Sequence, residues 1–199
     1  VSSAARWSVV VLVLAIAGVV ALWPRTPDEP TPEVPRSQRT TASPEDVRQA
    51  RDRAALRPCP RGEGGPPQLR GVTAVCMSDG GTVDVASALS GRALVNFWAP
   101  WCVPCREELR VLDEYAQQPG SVPVLAVQVR SKEEDGLELL ADLGVRLPSV
   151  VDEADAVRKA LHAPNALPAS VVLAADGSSR LVTDPTVFTS VEQVREVVG

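Results

Sequence analysis

The chain has 199 residues, enough for one domain with length to spare, a net charge of −5 and only 4% aromatic residues. No basic cluster offers a surface to nucleic acid, so that class of partner is excluded. The four cysteines are too few for a disulfide-built scaffold and fall by spacing into two pairs, Cys59 with Cys76 and Cys102 with Cys105. Cys59 and Cys76 stand too far apart to form a second zinc knuckle, so no metal is expected.

In chain order, residues 1–8 are an N-terminal tail, and Val9–Trp23 is an uninterrupted apolar run without charge. Trp7 and Trp23 flank it, where interfacial aromatics belong. Counted from Trp7 the run has 17 residues, at the short end for a spanning helix. It reads as a transmembrane anchor over 9–23. The alternative is a cleaved signal peptide ending at Ala15-Ile16-Ala17, which would leave a very short apolar core. Arg6 lies before the run, and Arg25, Arg36 and Arg39 lie after it. Counted naively, those charges put the large domain in the cytoplasm, but long domains translocate largely regardless of charge. A disulfide between Cys59 and Cys76 would need an oxidising compartment. The expectation is therefore a single-pass protein of the cell membrane with its large domain extracytoplasmic.

Residues 24–57 are rich in Pro, Thr, Glu and Arg and read as an extended tether. Within it Ser43 and Pro44 look like the cap and first position of a polar helix over 44–56, a surface or spacer element. From 58 to 199 the pattern is globular. Gly71–Cys76 and Thr82–Val85 flank the turn Ser78-Asp79-Gly80-Gly81 as a β-hairpin. Arg92–Trp98 reads as a buried central strand, Val103–Gln118 as a helix and Val122–Val129 as a second buried strand. Glu133–Leu143 is a helix ended by Gly144, and Asp152–His162 a short helix. Ala169–Ala174 and Ser179–Val182 bracket Asp176-Gly177 as a second hairpin. Ser190 and Gln193 form a capping box that opens the last helix. This order predicts an α/β domain: a mixed four- to five-stranded sheet flanked by helices, preceded by the N-terminal hairpin.

The stretch Val95-Asn96-Phe97-Trp98-Ala99-Pro100-Trp101-Cys102-Val103-Pro104-Cys105-Arg106-Glu107-Glu108 runs a strand into a Cys-x-x-Cys turn that opens a helix. Downstream, Leu167-Pro168-Ala169-Ser170 starts a strand with a proline. On these residues the chain resembles the thioredoxin superfamily, and within it the membrane-anchored TlpA/ResA-type thiol-disulfide oxidoreductases. The resemblance runs from about Gly71 to the C-terminus. It implies a thioredoxin fold, protein disulfides as substrates, apocytochrome c haem-site cysteines among them, and a membrane thiol carrier as electron donor. It implies no cofactor. It also puts a cis-proline at Pro168, which would present the backbone of Leu167 to a substrate strand; a plain trans loop proline is the alternative.

The chemistry follows from the turn. Cys102 belongs at the helix N-cap, where free backbone N–H groups and the helix dipole favour a thiolate. Cys105, one turn in, resolves the mixed disulfide that Cys102 forms. Pro104 is tolerated because first-turn N–H groups have no intrahelical acceptor. Neither Val103 nor Pro104 is polar, so only the helix stabilises the thiolate. That favours a dithiol reductase, with a potential of about −200 to −270 mV, over an oxidase or isomerase. Asn96 stands where thioredoxin has a titrating Asp. Glu108, three residues after Cys105 on the same helix face, is the candidate replacement for its proton work; the competing reading is a solvated Glu in a charged stretch. Trp101 is expected to shield the active-site surface, while Phe97 and Trp98 suit the core. Cys59 and Cys76 are expected to form a structural disulfide, a second redox relay being the alternative. A metal-binding module of this fold would use a wider Cys spacing with a partner His. His162, the only histidine, reads instead as an exposed helix-end residue. A peroxidase would need a single peroxidatic Cys in a Pro/Thr-rich turn, which the motif does not resemble.

Overall fold

The computed structural model describes residues 42–199; the apolar segment 9–23 and the tether up to residue 41 lie outside the described residues. Among the described residues no helix is long and apolar enough to cross a membrane. The elements are α1 (Pro44–Ala54), a 3₁₀ turn (Pro67–Leu69), β1 (Thr73–Cys76), β2 (Thr82–Asp84), the one-turn helix α2 (Val85–Ala88), β3 (Ala93–Trp98) and α3 (Val103–Ala116). There follow β4 (Val124–Val129), α4 (Glu133–Leu143), β5 (Ser149–Asp152), α5 (Ala156–Ala160), β6 (Ala169–Leu173), β7 (Ser179–Leu181) and α6 (Val191–Val198).

The strands form one sheet in the order β2-β1-β5-β4-β3-β6-β7. The pairs β3–β4 and β4–β5 are parallel, and the outer pairs are antiparallel. Every residue of β3 and β4 is buried, which is why both read as continuous apolar runs. Their side chains alternate between two cores. Leu94, Trp98, Val124 and Ala126 face a layer made by α1, α3, α4 and α6. Val95, Phe97, Leu125 and Val127 face the 3₁₀ turn, α2 and α5.

Seven strands replace the expected four or five. Six strands are expected in all, two of them in a separate N-terminal hairpin; the seventh is β5, of which the sequence reading assigns only Asp152, to a helix over Asp152–His162. Ser149-Val150-Val151-Asp152 is only one short apolar step between two helices, and pairing on both sides makes it a strand. Its partner β1 thereby carries the N-terminal hairpin into the main sheet. Asp152 does start the next helix, but from the strand end. Its buried carboxylate accepts from the N–H groups of Ala156 (2.7 Å), Val157 (2.9 Å) and Arg158 (3.2 Å). The helix itself begins four residues later and spans Ala156–Ala160.

A second correction concerns the tether. The helix assigned to it is part of the domain, and the compact unit starts at Ala42 rather than Pro58. Ser43 and Asp46 close a reciprocal capping box at its start. Ala50, Ala54 and Leu56 are buried in the same core as α4. The Arg51 guanidinium grips Glu133 at 2.8 Å, and Arg57 grips Asp113 at 2.7 Å. Small alanines, rather than a strong apolar stripe, make this contact, so the sequence looked merely polar.

Two glycines shape this layer. Gly144 ends α4 in the left-handed conformation, φ 69°. Gly136 in α4 lies against the Gln128 amide on β4, which donates to the Lys132 carbonyl (2.6 Å) and to Ser131 Oγ (3.0 Å). A Cβ at Gly136 would stand 1.8 Å from Gln128 Oε1. Gly136→Ala should therefore destabilise by about 1–2 kcal/mol in urea unfolding, although alanine is the better helix former. In a Gln128→Ala background the same change should turn stabilising, by up to about 1 kcal/mol.

Candidate active site

β3 ends at Trp98 in the middle of the sheet and the chain turns through Ala99-Pro100-Trp101, closed by a bond from Cys102 N–H to the Ala99 carbonyl (3.0 Å). Cys102 is the N-cap of α3, and the first turn of that helix carries no acidic side chain. Nothing there opposes the partial positive charge of the helix end. Cys102 and Cys105 are joined in a disulfide with a Cα–Cα distance of 5.4 Å. Cys102 keeps a small exposed edge, 4%, whereas Cys105 is sealed at 0%. Only the first sulfur of the pair is placed to meet another molecule. Around it Trp101 and Val103 are 57% and 73% exposed, the large apolar side chains most open to solvent among the described residues.

The Leu167–Pro168 peptide is cis. β6 runs antiparallel to β3 with Phe97 opposite Ala169, so the next step of the register brings Pro168 to the end of β3, where the cysteine turn begins. The sequence-marked residues Trp101, Cys102, Leu167 and Pro168 thus converge from two separate segments.

Beneath the disulfide, Glu108 is 1% exposed. The solvated reading of this residue does not hold. One carboxylate oxygen accepts from the Phe188 N–H (2.9 Å), the other from Asn96 Nδ2 (2.7 Å). Asn96 Nδ2 also donates to Ser170 Oγ (3.0 Å), its register partner on β6. Burial pushes the Glu108 pKa up to about 7, and the two hydrogen bonds only partly counter it. Asn96 Oδ1 is buried without a partner. A half-turn of that amide would offer the oxygen to a protonated Glu108, so the site can accommodate either charge state.

Sequence reasoning missed three contributors. Ser170 was visible only as part of the proline strand; its pairing with Asn96 needs the register. The Phe188 N–H is a backbone group in a loop and leaves no mark in the sequence. Arg130, just past β4 with φ 53°, accepts a bond from Trp101 Nε1 at its carbonyl (3.4 Å). Its guanidinium lies 5.3 Å from the Trp101 ring centre and donates to the Asn165 carbonyl (2.7 Å), ahead of the cis-proline. It thereby ties the two sides of the site together.

Cys59 and Cys76 form the second disulfide, Cα–Cα 6.0 Å, buried in the core on the opposite face of the sheet. His162 is exposed just after α5, away from any ligand set. Among the described residues no cluster of His, Cys, Asp or Glu could hold a metal ion.

The Redoxin family pattern matches residues 64–192, most of the chain. The chain belongs to the Redoxin family. Within the thioredoxin superfamily it is of the type that includes ResA and DsbE. This Redoxin member is similar to the thiol:disulfide interchange protein CycY of Rhizobium leguminosarum bv. viciae, 37% identical over 59 residues, covering 29% of this chain and 31% of CycY. It is 28% identical over 94 residues to the thiol-disulfide oxidoreductase ResA of Geobacillus thermodenitrificans, covering 46% of this chain and 53% of ResA. These matches span about half or less of the curated relatives. A solved structure, a secreted Mycobacterium tuberculosis disulfide oxidoreductase homologous to E. coli DsbE, superposes with a TM-score of 0.57 at 26% identity, over 66% of this chain and 96% of that one.

Proposed function

We propose that this chain is an extracytoplasmic thiol-disulfide oxidoreductase that works as a dithiol reductase of protein disulfides. The observation that carries it is the Cys102–Cys105 disulfide at the start of α3, with one reachable sulfur above a buried carboxylate tuned to about 7. In the reduced state the Cys102 thiolate attacks a substrate disulfide. A bond forms between Cys102 Sγ and one substrate sulfur, and the other substrate sulfur leaves as a thiolate. Cys105 then passes its proton to the Glu108 carboxylate and attacks Cys102 Sγ. The second substrate sulfur leaves, two electrons have moved to the substrate, and the Cys102–Cys105 disulfide is restored. A membrane thiol carrier returns the electrons.

Trp101, Leu167 and Pro168 receive the substrate strand. The apolar Val103-Pro104 spacer favours reduction over oxidation, and apocytochrome c haem-site cysteines are the proposed substrates. Segment 9–23 anchors the chain in the cell membrane, and residues 24–41 hold the domain off it. The Cys59–Cys76 disulfide supports an oxidising compartment for the domain.

Trapping tests the reading. Cys105→Ser in the anchored protein should accumulate reductant-sensitive mixed disulfides through Cys102, seen as a ladder on non-reducing gels and lost in Cys102→Ser. Absence of any adduct would overturn a protein substrate. A potential near the strongly oxidising end of the scale, about −120 mV, would overturn the direction.

A further inference from the structure

Two exposed arginines, Arg106 and Arg130, stand beside the redox disulfide. Arg130 lies against the Trp101 ring with its guanidinium on the Asn165 carbonyl. Arg106, on the first turns of α3, donates to the Pro100 carbonyl (3.3 Å). Both guanidiniums are thus fixed within one residue of Trp101, on backbone carbonyls, and neither meets a carboxylate among the ion pairs of the described residues. The neighbouring acids are committed elsewhere. Glu107 pairs with Arg110. Asp155, which does feel Arg130, is held by Arg158. Glu108 is sealed inside. What a partner meets is an apolar platform, Trp101 and Val103, flanked by two cations that form no ion pair among the described residues.

We infer that this surface selects substrate segments in which acidic residues flank the cysteine to be reduced. The inference rests on the dithiol-reductase reading above and names the substrate class of that site. The occupant is an extended protein segment with an apolar side chain against Trp101 and Asp or Glu at its two ends. Charge complementarity carries the assignment. Exposed guanidiniums held on neutral carbonyls keep their capacity for carboxylates, and rim charges of this kind act chiefly on association rate. The whole chain is negative, at −5, so its overall field opposes acidic partners. A preference for them therefore has to arise locally, at distances below the screening length of about 10 Å at 0.1 M salt.

The test uses three synthetic peptides with the same apolar core and one disulfide, flanked by acidic, neutral or basic residues. Reduced protein, freed of excess reductant, is mixed with each in a stopped-flow instrument, and the second-order rate of reduction is read. At about 0.1 M salt the acidic peptide should react about tenfold faster than the basic one, with the neutral peptide between. At about 1 M salt the ratio should fall towards one. Arg130→Met and Arg106→Gln should each lower the ratio, and together remove it. Arg130→Lys should keep it, because the charge stays while the planar fork is lost. Arg106→Glu, a change at an exposed position, should bring the ratio to about one, as the double neutral substitution does, because the rim then carries one charge of each sign. Equal rates for the three peptides, or a preference that survives both neutral substitutions, would overturn the inference. If none of the peptides is reduced, the reductase reading falls and takes this inference with it.

Discussion

Glu108→Gln should slow disulfide reduction by roughly a hundredfold near neutral pH and remove an inflection near pH 7 from the pH–rate profile. The size follows from the role: a carboxylate that takes the Cys105 proton is a general base, and its active form is the ionised one. With a pKa of about 7, the wild-type rate should rise with pH through that value. The amide in its place cannot take a proton, so the remaining pH dependence belongs to the thiols alone. A superimposable profile in the variant would remove Glu108 from the mechanism.

The same substitution carries a stability signature of opposite sign. A glutamate raised from 4.5 to about 7 on folding holds a proton in the native state that the unfolded chain has already released between those values. Native stability therefore falls as pH rises from about 4.5 to about 7 and levels off above. The full difference is about 3 kcal/mol, from 1.36 kcal/mol per unit. Glu108→Gln should abolish that slope and leave the oxidised protein more stable than wild type at pH 8. The Asn96 amide helps here. Turned over, its unpartnered oxygen accepts from the new amide, and Ser170 Oγ can donate to it. Urea unfolding at pH 5 and pH 8 is the measurement.

Removing the Cys59–Cys76 bridge should cost about 3 kcal/mol, by the loop-entropy relation for a separation of 17 residues. In thermal unfolding, Cys59→Ala with Cys76→Ala should lower the midpoint by about 6–12 °C. The geometry makes the loss structural. After α1 packs on one core, the chain passes to the other face, where Cys59 is fastened to the end of β1. Exchange at Cys102 should persist in this variant at 25 °C. Loss of exchange there, with the fold intact, would make the pair a relay instead of a staple.

How much of this could be read from residues alone varies with the kind of information. The cysteine turn and both hairpins announce themselves, because each depends on local chemistry, a cap position or a glycine in a turn, whereas the cis form of Pro168 was implied only by the resemblance. Glu108 was legible as a candidate from helical spacing, but its burial was not, since a Phe188 backbone group and the Asn96–Ser170 register supply its environment. β5 escaped because four residues carry no periodicity until both neighbours pair with them. α1 was legible from its Ser43 cap and Pro44, but its packing onto the domain was not, because alanines at a close helix contact look no different from alanines in a spacer. Arg130 is the extreme case. An arginine after a buried strand is unremarkable until Trp101 is seen against it.

The two disulfides lie in different cores, on opposite faces of one sheet, with only the partly buried Leu167 packed against both. Titrated with a graded series of thiol buffers, the molecule should therefore release sulfhydryls two at a time. The cysteine-turn pair should open first, and the buried staple only at much lower potential. Alkylated and weighed intact, it would show zero, two or four tags and no odd count. Such an integer mass code would let the working state of the chain be read directly from material quenched in living cells.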